Sequence, residues 1–351
     1  MLYPALRSSL LTMSTTTTVL PSSSIPLFTT VAAFRQWRQA ARKENKSVGF
    51  VPTMGALHDG HMSLVRKSLA DNDLTVLSIF VNPAQFAPHE DLTTYPRTLP
   101  RDLEVLSAES VSVPSTTDSI IRTTSAVFLP TVQEMYPSGI DQNVAAQQGT
   151  FIEVKGYSAQ MEGKTRPSFF RGVATVVTKL FNAVEPDNAY FGQKDIQQCL
   201  IIKRLARDIL LSHPSPHNIH IVPTARDPAS NLALSSRNAY LSADGRNAAP
   251  ALYRALRVAE QAWTDGLTKS VCIQRAAEVI RETASAAANG DLEIRLDYIE
   301  FNDSDSLEPL GDVRCAEPNS NSPPLLLSGA MWIGKTRLID NIVLGSLESL
   351  R

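Results

Sequence analysis

The sequence predicts an α/β protein: a parallel sheet with helices on both faces, followed by a smaller α+β region. Two observations carry this. Apolar, β-branched runs alternate with segments of helical period through the first two thirds of the chain. After about residue 224 the order changes to a long helical stretch followed by two strand-like runs.

The elements follow in chain order. Val31–Ala41 reads as a helix, Val48–Val51 as a strand, His61–Ala70 as a helix and Leu74–Val81 as a strand. Val127–Leu129 reads as another strand. In Gly172–Val184, residues Val173, Val176, Val177, Leu180, Phe181 and Val184 fall on one helical face. Glu185-Pro186-Asp187 then turns into the strands Ala189–Phe191 and, later, Ile219–Val222. Beyond them, Ala243–Trp263 and Val271–Ala287 read as helical, Leu296–Phe301 and Pro324–Trp332 as strands. Ser107–Ser125 and Asn302–Pro324 are rich in Ser, Thr and Pro and read as surface insertions or loose loops. Residues 1–26 carry Arg7 as their one charge, weak support for a mitochondrial presequence, which stays open as the alternative, and lack the apolar core of a secretory signal. A disordered tail is expected there. The expected division is this tail, one domain over 27–224 and a second over 225–351.

With 33 Lys and Arg against 35 Asp and Glu, no strong field points to nucleic acid or membrane. No apolar run approaches the length of a membrane span. Cys199, Cys272 and Cys315 are isolated, which fits a reducing compartment and argues against a disulfide framework or zinc site. A cytoplasmic location is expected.

Four segments carry candidate chemistry. Met54-Gly55-Ala56-Leu57-His58-Asp59-Gly60-His61 follows a buried strand and leads into a helix. Such a turn is expected to offer backbone N–H groups and a helix N-terminus to an anion. His58 and His61 lie one helical turn apart and can face one ligand. The turn is of the H-x-G-H type found in nucleotidyl-transfer enzymes; a shared metal is the weaker reading, since no third ligand is near in sequence. Gly192-Gln193-Lys194-Asp195 stands at the carboxyl end of a strand, where open α/β sheets bind ligands. Lys194 and Gln198 share a helical face: the lysine suits phosphate, the glutamine a small polar acid. Leu234-Ser235-Ser236-Arg237 offers two hydroxyls and a guanidinium to phosphate. Gln85 follows the strand Leu74–Val81, again at a carboxyl end. Taken singly, the histidine turn favours a functional reading, the Lys194 segment is equally readable as a solvated helix start, Ser-Ser-Arg is a common tripeptide, and Gln85 could sit in an ordinary polar turn.

Gly329–Thr336 matches G-x-x-x-x-G-K-[ST] letter for letter. Its Met-Trp-Ile interior is too bulky for a phosphate-wrapping loop, and 15 residues after Thr336 leave no room for a Walker B strand. An ordinary strand and turn is the expectation.

These segments, in this order, resemble the pantoate–β-alanine ligase (pantothenate synthetase) family. The likeness spans roughly Pro26 to Leu344 and includes Pro52–His61, Ser78–Phe86, Tyr95-Pro96-Arg97, Glu162–Pro167, Phe170–Val173, Phe191–Gln198, Leu234–Asn238 and Arg337–Asn341. It implies a Rossmann-like nucleotidylyltransferase domain with a C-terminal lid. It also implies an ATP- and Mg²⁺-dependent homodimer that joins pantoate to β-alanine through pantoyl adenylate. Residue by residue, it implies that Met54–His61, Gly192–Asp195, Ala225 and Leu234–Arg237 bind ATP, with His61 at the proton-donor position. Gln85 and Gln198 match residues that bind pantoate or β-alanine. His58, His61 and Lys194 are the expected catalytic groups, with no protein-held metal. An adenylyltransferase that stops at a small-acid adenylate is the alternative. The chain departs from the family at Ser168-Phe169, where many members have Gly-His, and at Arg226–Ala233, which is one residue longer and lacks an Asp-Gly.

Overall fold

The computed structural model describes residues 20–87, 90, 92–115, 118–287, 292–314 and 323–350. The amino-terminal half runs β1 (Leu27–Phe28), α1 (Val31–Lys43), β2 (Val48–Thr53), α2 (Asp59–Asp71), β3 (Leu74–Ile79), α3 (Leu99–Ala108), β4 (Ser110–Pro114), β5 (Ser119–Phe128) and α4 (Val132–Met135). It continues with α5 (Glu162–Thr165), α6 (Phe169–Val184), β6 (Asn188–Gly192), α7 (Ile196–Asp208) and β7 (Ile219–Val222). The rest comprises α8 (Ala243–Ala248), α9 (Ala251–Thr264), α10 (Lys269–Ala287), β8 (Ile294–Asp303), β9 (Leu325–Ile333) and β10 (Thr336–Leu344).

Strand order in the large sheet is β1-β5-β3-β2-β6-β7, with β4 added antiparallel on β5 and the other pairings parallel. The chain builds outward from β2 in one direction, then returns to build from β6 in the other. The order therefore reverses between β2 and β6, and the carboxyl ends of these neighbours open a crevice. One face packs α1, α6 and α7 against Val48, Phe50, Val76 and Phe128. The opposite face packs α2 and α3 against Val51, Leu77, Val127 and Tyr190. The apolar stripe of α6 is buried along its length, and each large apolar side chain so placed contributes about 1.5–3 kcal/mol. Glu185 ends the helix in the left-handed conformation at φ 50°.

The smaller sheet is antiparallel, ordered β10-β9-β8, with α9 and α10 over one face through Leu252, Leu256, Trp263 and Ile280. Gly329–Thr336 is the end of β9, a tight turn at Gly334 and the start of β10, an ordinary hairpin as expected.

Several expectations change. Ser107–Ser125 is no loose loop: its described residues end α3 and pair as β4 and β5. Its Ser and Thr content masked the alternating valines and the Ile120-Ile121 pair, which favour an extended chain. The strand expected at Val127–Leu129 accordingly starts at Ser119. Ala243–Trp263 is two helices, because Pro250 has no N–H to continue the first. Within the expected tail, Ile25 is buried and the Pro26 carbonyl accepts from Val127 N, so these two residues belong to the fold. Residues 1–19 and 315–322, with Cys315, lie outside the described residues.

Candidate active site

At the carboxyl end of β2 the chain enters the left-handed region twice in succession, Gly55 at φ 83° and Ala56 at φ 51°. His58 then caps α2, its Nδ1 accepting from Gly60 N at 3.1 Å. The His58 and His61 rings meet at 4.1 Å between centroids. Burial pushes both imidazoles down, and nearby Lys194 and, for His61, the neighbouring ring add to the effect: His58 falls to about 4 and His61 to about 3. Both are therefore neutral at pH 7 in this arrangement. His61 Nδ1 is buried and makes no hydrogen bond within the protein.

At the carboxyl end of neighbouring β6, Gln193–Asp195 forms a single 3₁₀ turn before α7. Asn341 of β10 braces it: the Asn341 amide donates to the Gln193 and Lys194 carbonyls, both at 2.9 Å. Lys194 Nζ lies 3.2 Å from the Asp195 carboxylate. The third segment begins at an isolated antiparallel bridge between Arg226 and Ala233, where Leu234 N donates to the Ala225 carbonyl at 3.0 Å. The longer 226–233 stretch is absorbed as a turn gathered on Asp227, which accepts from Ala229 N, Ser230 N and Ser230 Oγ. Arg226 leaves this turn to make a two-pronged pair with Asp340, at 2.6 and 2.9 Å. Ser235 caps the turn that carries Ser236 and Arg237, and Ser236 Oγ donates to the Ala56 carbonyl at 3.3 Å.

Gln85 is held from two sides. Asn82 Nδ2 donates to Gln85 Oε1 at 3.0 Å, and Arg166 donates to the Gln85 carbonyl at 2.9 Å while pairing with Glu90. α6 lies directly against this turn: a Cβ on Gly172 would stand 2.1 Å from the Ala84 carbonyl oxygen, so only glycine fits. The Phe169 ring sits under the Arg166 guanidinium at 3.8 Å.

These elements enclose a cavity of about 250 Å³ at the sheet's switch point. Met54, His58, Gly60, His61, Gln85, Gly192, Lys194, Asp195, Gln198, Ala225, Leu234, Ser235, Ser236 and Arg237 all line it. Gly55, Ala56, Leu57, Asp59 and Gln193 do not. The turn also differs from the expectation that its amides face an anion. Ala56 N and Leu57 N donate to the Asp102 carboxylate, at 3.0 and 2.8 Å, and Gly60 N to His58. Side chains, more than these amides, face the cavity. Asp102 and Asn341 are site residues beyond those expected: Asp102 stands in no motif, and the Arg337–Asn341 segment carries no sign of what Asn341 holds.

A second cavity of about 870 Å³ adjoins the first and shares Arg166, Phe169, Lys194, Asp195, Gln198 and Arg237 with it. Its far wall is α5 and the smaller sheet, joined by Arg337, which pairs with Glu162 and with Asp297, the latter at 2.8 Å. Tyr298 OH also donates to Glu162, at 2.8 Å.

A doubly wound sheet with hydroxyls, imidazoles and cations gathered at its switch point defines an α/β protein suited to a phosphorylated small molecule. Comparison narrows the class. The family model described as pantoate-β-alanine ligase matches residues 26–343. A pantothenate synthetase of Moorella thermoacetica is 43% identical over 318 residues, 91% of this chain and 98% of its own. A pantoate–β-alanine ligase of Saccharomyces cerevisiae is 41% identical, over 91% of this chain and 99% of its own. The crystal structure of a pantothenate synthetase from Thermus thermophilus superposes with a TM-score of 0.72 at 37% identity, covering 91% of this chain and 99% of that one. That of a pantoate-β-alanine ligase from Francisella tularensis, complexed with β-γ ATP and β-alanine, gives 0.66 at 31% identity, covering 93% and 100%. The chain belongs to the pantoate–β-alanine ligase family.

Proposed function

We propose that this chain uses ATP to join (R)-pantoate to β-alanine, releasing AMP and pyrophosphate. One observation carries the reading: the histidine pair, Lys194, Ser235–Arg237 and the two glutamines, drawn from distant parts of the chain, line one cavity. A free carboxylate is a poor acylating agent, so it must first be activated. A pantoate carboxylate oxygen attacks the α-phosphorus of ATP, the bond to the β-phosphate bridging oxygen breaks, and pyrophosphate leaves. The β-alanine amine then attacks the pantoyl carbonyl, the acyl–phosphate bond breaks, and AMP leaves as the new amide nitrogen loses a proton.

The first step gathers negative charge on phosphate oxygens, and preorganised donors and cations stabilise it. Lys194 and Arg237 supply positive charge, Ser235 and Ser236 hydroxyls, and His58 and His61 neutral N–H donors. Gln85 and Gln198 face the same cavity and suit the hydroxyl and carboxylate groups of a small acid. Mg²⁺ enters with the nucleotide in this reading. It would be held chiefly by substrate phosphates with one carboxylate, and Asp195, which lines the cavity and whose side chain is 45% exposed beside Lys194, would supply that carboxylate. Bound there, the ion would neutralise charge on the departing pyrophosphate. Among the described residues no group of three or more His, Cys, Asp or Glu is placed to hold a metal.

Residues 27–224 would carry most of the ATP and pantoate site, and 225–351, the lid, would add Ala225 and Leu234–Arg237 to its wall. No helix among the described residues is long and apolar enough to cross a membrane. A homodimer and a cytoplasmic location complete the proposal, tested by sedimentation and cell fractionation. The deciding assay follows AMP from ATP with pantoate, β-alanine or both. Sustained AMP release is expected only with both acids. AMP release without β-alanine would overturn the ligase reading, and a stable adenylate as end product would favour the adenylyltransferase.

A further inference from the structure

Two successive left-handed residues, Gly55 and Ala56, turn neighbouring amides inward to make a small anion-binding concavity. It is filled from within the protein. Asp102, on α3 and 2% exposed, accepts from Ala56 N on one carboxylate oxygen and from Leu57 N on the other. Thr98 Oγ1 donates a third bond to the same carboxylate, at 3.0 Å. The fit leaves no slack: a Cβ on Gly55 would stand 3.1 Å from Asp102 Oδ2 and 3.0 Å from Ile79 Cγ2. The carbonyl of Ala56 reaches the other way, accepting from Ser236 Oγ at 3.3 Å. One short turn thus connects Asp102 to both histidines and to the serines of the opposite wall.

We infer that Asp102 is a positioning residue for the reaction: an internal anion that holds the histidine turn in its working shape before nucleotide arrives. It touches no reacting atom. It fixes the backbone at Ala56 and Leu57, so His58 begins α2 at a set place and the His58–His61 pair faces the cavity. Filling the concavity from behind also removes a competing seat for phosphate, leaving the side chains of the cavity to meet the triphosphate. The inference deepens the ligase reading and rests on it for its rate predictions, while its structural half stands alone.

The test uses the full chain with Asp102→Asn, Asp102→Ala and Thr98→Val. Asp102→Asn turns an amide N–H toward a backbone N–H. It is expected to lower kcat for pantoate- and β-alanine-dependent AMP release roughly tenfold or more, as a small displacement of catalytic groups does, while KM for pantoate stays within about twofold. In Asp102→Ala, added formate is expected to refill the concavity and restore part of kcat saturably, with no effect on wild type. Imidazole NMR resonances of His58 and His61 are expected to move in each variant and to return with formate in Asp102→Ala. Thr98→Val keeps the carboxylate and, should both Asp102 variants fail to fold, decides alone through the same resonances. Wild-type kcat in Asp102→Ala, unmoved imidazole resonances, or a loss that formate does not relieve would each overturn the inference. If wild type itself releases no AMP, the ligase reading fails, and the resonances still decide the role of Asp102.

Discussion

Two cations at the adjoining cavities, Lys194 in both and Arg337 in the larger one, are used in opposite ways. In the smaller one, at the switch point of the large sheet, Lys194 is held by its backbone, through Asn341, and its ammonium group lines the cavity beside Asp195. In the larger one, the guanidinium of Arg337 is committed to two carboxylates, Glu162 of α5 and Asp297 of β8, and those pairs hold its pKa well above the usual range against the pull of burial. The first arrangement places charge for a ligand. The second uses charge to tie β10 to β8 within the small sheet and to α5 across the cavity. A cation in a cavity is therefore not by itself a binding group; what matters is whether its hydrogen-bonding capacity is already spent.

Lys194→Ala gives the sharpest test of that contrast. AMP release dependent on pantoate should fall about 10²–10³-fold, the effect of removing one preorganised group opposite developing charge. The urea midpoint should barely move. An unchanged rate would end the catalytic role of Lys194 and, with it, the distinction between the two cations. Arg337→Met reverses the expectation. It strands Glu162 and Asp297, which are 14% and 24% exposed, and should cost about 2–3 kcal/mol in a urea titration, below the figure for a fully buried pair. A variant as stable as wild type would show that the pairs do not clamp α5 to the small sheet.

Asn341 stands between the two regions, since it belongs to the small sheet yet holds the Lys194 turn. Asn341→Leu leaves the Gln193 and Lys194 carbonyls without their shared donor. A loss of about tenfold in kcat, near 1.4 kcal/mol, is expected together with lower stability. Loss of only one of the two would assign Asn341 to that region alone.

How much of this was legible in the sequence depends on how far each cause reaches along the chain. The α6 stripe was legible because its periodicity is a local property, and all six stripe residues are buried. The histidine turn, Lys194 and Gln198, and Ser235–Arg237 were legible as compact segments, and their order pointed to the family. Ser107–Ser125 differs from the loose loop its hydroxyl-rich composition suggests because alternation prevails there: Ser110–Pro114 pairs with Ser119–Thr123 as β4 and β5. The roles of Asp102 and Asn341 were not legible: their partners lie 46 residues away at Ala56 and 147 away at Lys194, and although Asn341 closes the Arg337–Asn341 segment, that segment does not show which backbone it holds. The same distance explains the misjudged turn amides, whose occupant arrives from another helix.

The smallest effect concerns protonation, and it separates the histidine turn from the rest of the crevice. His58 and His61 are held near 4 and 3 by burial, by Lys194 and, for His61, by the adjacent ring, whereas an unfolded histidine titrates near 6.5. Between these values the unfolded chain takes up protons that the folded chain refuses. The histidines therefore favour unfolding as pH falls from about 6.5, and stability should rise with pH through that window. The contribution at pH 5.5 relative to pH 8 is about 1 kcal/mol for each ring. Urea midpoints of wild type, His58→Gln and His61→Gln at both pH values isolate it, because carboxylates common to all three proteins cancel in the comparison. Each variant should lose part of the acid sensitivity of wild type. If both keep the full wild-type slope, the rings are not held neutral by the fold, and the assignment of His58 and His61 as neutral N–H donors fails with them.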